Sequence, residues 1–254
     1  AIKFSETVFK SKGKTGKLTP DANGYYTLIL GALNTYNSAG EYYTAQGALS
    51  LFENSSQLMR RIKSGALYAE LGHPKKQPGM SMDEFYNRVL SIDETNTCAH
   101  ISEITLDFNY GKNHPELNNP DLIAIIGKVK PAGAKAQALE SALANSSENV
   151  AFSIRGLTEN KMSGGKVLRT LTNIITWDYV IEPGIAIACK AYSPAVEART
   201  NMIEIQDVTI DRQTLISVLK NTTANIATES DRMIRQEMLQ SLTPKQKASK
   251  LSNW

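Results

Sequence analysis

Cysteine, histidine and long apolar runs are all scarce in this chain. Its two cysteines, Cys98 and Cys189, stand far apart in 254 residues, which suits packed, reduced thiols in a cytoplasm better than a disulfide framework. Neither belongs to a Cys-x-x-Cys pair, the three histidines form no His-Glu-x-x-His, and there is no full Gly-x-x-x-x-Gly-Lys-Ser/Thr loop to cradle a phosphate. Metal, redox and nucleotide chemistry therefore have no motif behind them, and neither a cofactor nor a metal is expected. The longest apolar runs, 122–126 and 185–189, are far too short to span a bilayer, and no signal-like leader opens the sequence. No membrane partner is expected. Charge of one sign is lacking too: 28 basic against 25 acidic residues leave +3, too even a balance for a nucleic-acid footprint. Basic clusters at 10–17, 75–76 and 245–250 read as solvated loops.

What is present is enough apolar residue, 41%, to bury a sizeable core in one large domain or one domain with an appendage. Tyr25 to Leu33 has the β-branched and aromatic content of a strand, followed by a turn-rich stretch over 34–40. Asn54-Ser55-Ser56 offers a cap for a helix with Leu58, Ile62 and Leu67 on one face, and Ser81 with Glu84 forms a capping box for a second helix carrying Phe85, Val89 and Leu90. Strands are expected over 98–108 and 122–129, and a helix over 134–144. A strand holding Ser153 should end at Gly156, with a polar loop over 158–166 and further strands over 167–181 and 185–192. A short strand within 202–210 and helices over 212–219 and 230–242 close the chain. Singly inserted helices among many strands predict an α+β fold with a curled or closed, mostly antiparallel, β-barrel-like sheet.

Two short segments carry chemistry. Ala69-Glu70-Leu71-Gly72-His73-Pro74 sets an imidazole after a short apolar run, with Gly72 permitting a bend and Pro74 ending regular pairing. Phe152-Ser153-Ile154-Arg155-Gly156 sets a hydroxyl in an apolar strand. An imidazole that accepts a proton beside a hydroxyl that attacks a carbonyl is the minimum apparatus for acyl transfer. Taken singly, a Gly-His-Pro turn or a strand serine is more often structural than catalytic. A third segment, Asp178-Tyr179-Val180-Ile181-Glu182-Pro183, holds an acid in an otherwise apolar strand. Such an acid needs either a buried partner or an exposed face, and both readings stand open.

In this order and with these flanks, the three segments resemble the prohead (procapsid) proteases of tailed bacteriophages, in the branch found in large myoviruses, remotely related to the herpesvirus assemblins. The resemblance runs from about Tyr25 to Ala198. It departs from the family in the turn 37–43, which here holds no Arg or Lys ahead of its tyrosines, and in the length of the segment after His73. It implies a serine endopeptidase in which Ser153 is the nucleophile, His73 the general base and Asp178 the group that holds the imidazole. His100 and Glu70 are the alternates for that third member. Arg155 would aid the oxyanion or substrate by its backbone or side chain, and Gly156 would keep Ser153 open to substrate.

The resemblance further implies capsid and scaffold proteins as substrates, cut inside the assembling prohead in the host cytoplasm, often after Glu. The chain contains such sequences at Ala195-Val196-Glu197 and Ala227-Thr228-Glu229, so self-processing is an expectation. The protease domain would span 1–200, and a strand and helical extension, removable or targeting, would span 201–254. Homo-oligomerisation stays open. The competing reading is a non-enzymatic phage structural or scaffold protein that shares the fold.

Overall fold

The computed structural model describes residues 2–4, 18–145, 147–181, 183–188, 208–221 and 229–243. Its strands are β1 (Ile2–Phe4), β2 (Tyr26–Leu33), β3 (Thr35–Tyr36), β4 (Tyr42–Thr44), β5 (Tyr68–Glu70), β6 (Thr97–Asp107), β7 (Ile123–Pro131), β8 (Ala151–Ser163), β9 (Lys166–Val180) and β10 (Val208–Ile210). Its α-helices are α1 (Gln57–Lys63), α2 (Met82–Leu90), α3 (Tyr110–Asn113), α4 (Ala136–Ala144), α5 (Arg212–Asn221) and α6 (Glu229–Leu242). The strands form two sheets, ordered β10-β1-β8-β9-β4-β3 and β2-β7-β6-β5. All pairings within them are antiparallel except that of β4 with β9. The α+β class and the mostly antiparallel character are as expected. Neither sheet closes into a barrel among the described residues. An isolated parallel bridge from Leu71 to Tyr179 joins the end of β5 to β9.

The longest element is the β8–β9 hairpin, and it corrects two expectations. Its tip is Gly164-Gly165, both at positive φ, the arrangement in which a two-residue turn follows the twist of its strands. The expected loop over 158–166 is thus mostly strand, since Glu159 through Ser163 pair with Thr170 through Lys166. Nor does the strand end at Gly156. The ladder shifts register there, between Arg155 and Gly156, and then continues. The expected strand over 185–192 is also absent where described: residues 185–188 form a turn, and the remainder lies outside the described residues.

Burial follows from the layering. The main core lies between the sheets and takes Leu30, Leu33, Ile101, Ile125, Phe152 and Trp177, with Leu58 and Ile62 from α1 and Leu139 and Leu143 from α4. A second core covers the other face of the six-stranded sheet, where α2, α5 and α6 bring Phe85, Leu90, Leu215, Ile234 and Met238 against Leu157 and Ile175. The segment over 201–254, where described, therefore packs against the first 200 residues. The capping box is formed as expected: Glu84 N donates to Ser81 Oγ at 3.2 Å and Ser81 N to Glu84 Oε2 at 2.7 Å. This fixes the start of α2 and, at its far end, the place of Arg88.

Candidate active site

Along β8 and β9, alternation divides the sheet between the two cores. Phe152 and Tyr179 are register partners and face the main core. Ser153 and Asp178 are the next partners, so their side chains share the opposite face, with Cβ atoms about 5 Å apart. Arg155 pairs with Thr176 on that same face. Polar groups here are buried: Asp178 is fully inaccessible, and Ser153 and Arg155 are 7% and 3% exposed.

His73 arrives at this face through the bend after β5. Gly72 adopts a φ of 75° and an added Cβ would meet nothing within 4 Å, so it is the backbone conformation and not space that requires glycine. Its N–H donates to Tyr179 O at 2.7 Å, which pins the bend to β9 beside Asp178. His73 Nδ1 then lies 2.8 Å from Asp178 Oδ2. Because a carboxylate only accepts, Nδ1 carries the proton and Nε2 keeps its lone pair. That Nε2 is buried and has no hydrogen-bond partner among the described residues.

Of the two alternates for the third member, neither bonds to His73. Both ring nitrogens of His100 are engaged elsewhere, Nδ1 with Tyr25 Oη at 2.9 Å and Nε2 with Gly65 O at 3.1 Å, on the four-stranded sheet. Glu70 is fully buried and accepts from Arg155 Nη2 at 2.7 Å, Asn96 Nδ2 at 3.1 Å and Asp93 N at 3.0 Å, as well as from Arg88. Its contribution to Asp178 is its backbone N–H, 3.2 Å from Oδ1.

The Arg155 guanidinium is committed inward. Nη2 donates to Glu70 and, at 3.1 Å, to Asp178 Oδ1, while Nη1 donates to Ser91 O at 3.0 Å just past α2. This leaves its backbone, not its side chain, for the substrate-facing role expected from the sequence. Gly156 sits where the β9 backbone leaves no room for a side chain: a Cβ there would meet Asn173 O at 2.4 Å. Sequence reasoning missed Arg88. A buried Glu70 with no basic neighbour in sequence was the signal that could have pointed to it, since a buried carboxylate demands a cation.

Burial raises the Glu70 carboxyl, but the hydrogen bond from Arg88 and the charge of Arg155 outweigh it and hold it down at about 2 against an ordinary 4.5. A depressed carboxyl stabilises the fold above its unfolded pKa and ceases to do so as pH falls through its folded one. Glu70→Gln is therefore expected to be less stable than wild type at pH 7 by about 3 kcal/mol. In urea unfolding the gap should close as pH falls from 4.5 toward 2; a gap independent of pH would contradict the ionic role.

Ser153 also lines a small hollow with Leu30, Asn37, Tyr43, Ile185 and Ala188. Its rim is the turn that lacks a basic residue, and β9 supplies one instead: buried Arg169 pairs with Glu41 and stacks 5.5 Å from the Tyr43 ring. His73 lines a separate open cleft with Pro74, Lys75, Gln77 and Arg88.

A family model described as the Peptidase S80 family matches residues 4–241. This chain belongs to that family. The peptidase is 40% identical over 190 residues to a protein named "Capsid maturation protease" from Pseudomonas phage phiKZ, covering 72% of this chain and 67% of that one. The resemblance to phage prohead proteases carried by the three sequence segments agrees with both findings. Among solved structures it is similar to the bacteriophage T4 capsid assembly protease gp21, at 13% identity and a TM-score of 0.43, covering 71% of this peptidase and 96% of that chain. No helix among the described residues is long and apolar enough to cross a membrane.

Proposed function

We propose that this peptidase is a serine endopeptidase of phage capsid maturation, with Ser153 as nucleophile, His73 as general base and Asp178 holding the imidazole. The observation that carries the reading is the bond from His73 Nδ1 to Asp178 Oδ2 at 2.8 Å, made on the face where Ser153 is the cross-strand partner of Asp178. It leaves a bare Nε2 lone pair that is not hydrogen-bonded to Ser153 Oγ in the structure, so the reading requires the two to close when substrate binds. In the reaction His73 Nε2 takes the Ser153 proton as Oγ attacks the scissile carbonyl, then delivers it to the leaving amine. Water repeats the sequence on the acyl-enzyme. Asp178 fixes the imidazole tautomer and stabilises the imidazolium. The Arg155 and Gly156 backbone beside Ser153 is the assigned neighbourhood of the oxyanion.

The substrates are capsid and scaffold proteins within the assembling capsid; the phiKZ relative's name supports capsid maturation. Cleavage falls after Glu, and self-processing after Glu229 would separate α6, which that residue opens. Ala195-Val196-Glu197 lies outside the described residues. A serine-reactive phosphonate is expected to modify Ser153 in the full chain and to leave His73→Ala unmodified. Wild type should lose mass at Glu229 on incubation while Ser153→Ala keeps its full mass. Absence of both labelling and proteolysis in folded protein would favour the structural-protein reading.

A further inference from the structure

Asp178 has more partners than a group that only holds an imidazole requires. Its Oδ2 accepts from His73 and lies 3.0 Å from Arg155 Nε, an ionic contact without a hydrogen-bonding angle. Its Oδ1 accepts from Arg155 Nη2 and Glu70 N. Arg155 is itself clamped by Glu70 Oε1 on one side and by carbonyls at the end of α2 on the other, Ser91 O at 3.0 Å and Val89 O at 3.5 Å. Helix ends of this kind present partial negative charge and hold a cation. Glu70 is anchored in turn by Arg88, one turn earlier on α2.

We propose that Arg155 is a positioning residue that, seated between Glu70 and the end of α2, fixes the Asp178 carboxylate in the orientation that serves His73. The inference rests on the reading of Ser153, His73 and Asp178 given above, and it gives the Arg155 side chain a part distinct from any oxyanion or substrate contact. Two carboxylates, Glu70 and Asp178, converge on one dry site, where like charges oppose joint ionisation. The planar guanidinium bridges both through Nη2 while its Nη1 reaches the end of α2, a fixed fork that the compact ammonium of a lysine does not reproduce. With Arg155 and Arg88 cationic and both carboxylates ionised, the cluster is neutral when His73 is neutral. Remove Arg155 and Asp178 gains three ways to relax: turning from His73, taking up a proton, or drawing a proton onto the imidazole. Each lowers the fraction of enzyme poised to accept the Ser153 proton.

The other charged or titratable groups acting on this site are Arg88 from α2, Asp93 just beyond it, and the Cys98 thiol on β6. Burial pushes that thiol up to about 12, so it stays neutral across the working range. None of them replaces Arg155 between the two carboxylates.

The test is peptide-cleavage kinetics on the full chain across pH 5 to 9, about the range in which an imidazole titrates. Arg155→Met is expected to lower kcat about 100-fold, with KM changed less than about threefold. The acid limb of kcat/KM should move to higher pH, because removing a cation favours the protonated form of both His73 and Asp178. Arg155→Lys should recover part of the rate and of the limb. Arg155→Met combined with Glu70→Gln, which removes the opposing charge, should bring the limb part-way back. If Arg155→Met fails to fold, Arg155→Lys and the double variant carry the test. An unmoved acid limb with the loss confined to KM, or with no recovery in either companion variant, would overturn the positioning role and return Arg155 to the substrate. Full activity in Ser153→Ala would instead sink the reading on which it rests.

Discussion

Asp178→Asn is expected to lower kcat about 10⁴-fold while leaving the protein folded. The carboxylate accepts from His73 Nδ1, Glu70 N and Arg155 Nη2, and all three of these groups donate. An asparagine side chain has one acceptor oxygen and one amide nitrogen that only donates. Arg155 cannot accept, and neither can the Glu70 N–H, so the oxygen must turn toward them and the amide nitrogen must face His73. The imidazole then has to accept at Nδ1, which moves its proton to Nε2. A protonated Nε2 cannot take the Ser153 proton, and general-base catalysis stops although no group near the substrate has moved. Glu70 still neutralises Arg155, so the buried cation keeps one carboxylate partner. Far-UV circular dichroism should match wild type while initial rates of peptide cleavage collapse. A rate within tenfold of wild type would remove Asp178 from the triad.

The three segments that carry this chemistry were legible because each is local. A bend-permitting glycine before His73, a serine in an apolar strand and an acid in another are visible without knowing how the chain folds. So was the start of α2, since a capping box is written in four consecutive residues. What escaped was set by pairing at a distance. Glu159 to Ser163 look like loop because they are polar, yet β9 offers them a partner along the whole hairpin, and exposed strand ends tolerate polar residues on both faces. Gly156 looked like a terminator, and it is instead a site of close backbone approach, a distinction that depends on where Asn173 lies. The buried cluster was hidden for the same reason. Glu70, Arg88, Arg155 and Asp178 come from four separate elements, and charge composition gives no hint that they meet. Their burial also explains why a near-neutral chain with many surface charges can still hold an intensely polar site: each charge there is matched locally.

Gly156→Ala is expected to cost about 3 kcal/mol of stability and to lower the midpoint of thermal unfolding by roughly 6–12 °C for a domain of this size. The requirement is spatial. Gly156 is not among the positive-φ glycines, but an added Cβ would lie 2.4 Å from Asn173 O and 3.5 Å from both Asn173 C and Ile174 Cα. Those atoms are backbone, so no side chain can swing aside to relieve the contact, and the strands must separate. They separate where the ladder is already irregular: β8 shifts register between Arg155 and Gly156 and again between Leu157 and Thr158. The facing carbonyls are satisfied from outside the sheet, by Arg61 of α1, whose Nη1 donates to Ile175 O at 2.6 Å and Nη2 to Ile174 O at 2.8 Å. Pushing β9 away from β8 strains both bonds, which adds to the cost. Gly156→Val, with a branched side chain at the same point, should fail to accumulate as folded protein. In Gly156→Ala the damage also reaches the chemistry, because Arg155 is the adjoining residue and Ser153 depends on the same ladder to face Asp178. Cleavage should therefore fall even at temperatures where the variant is fully folded. An unfolding midpoint within 2 °C of wild type would show that the two strands can part at Gly156 with little cost.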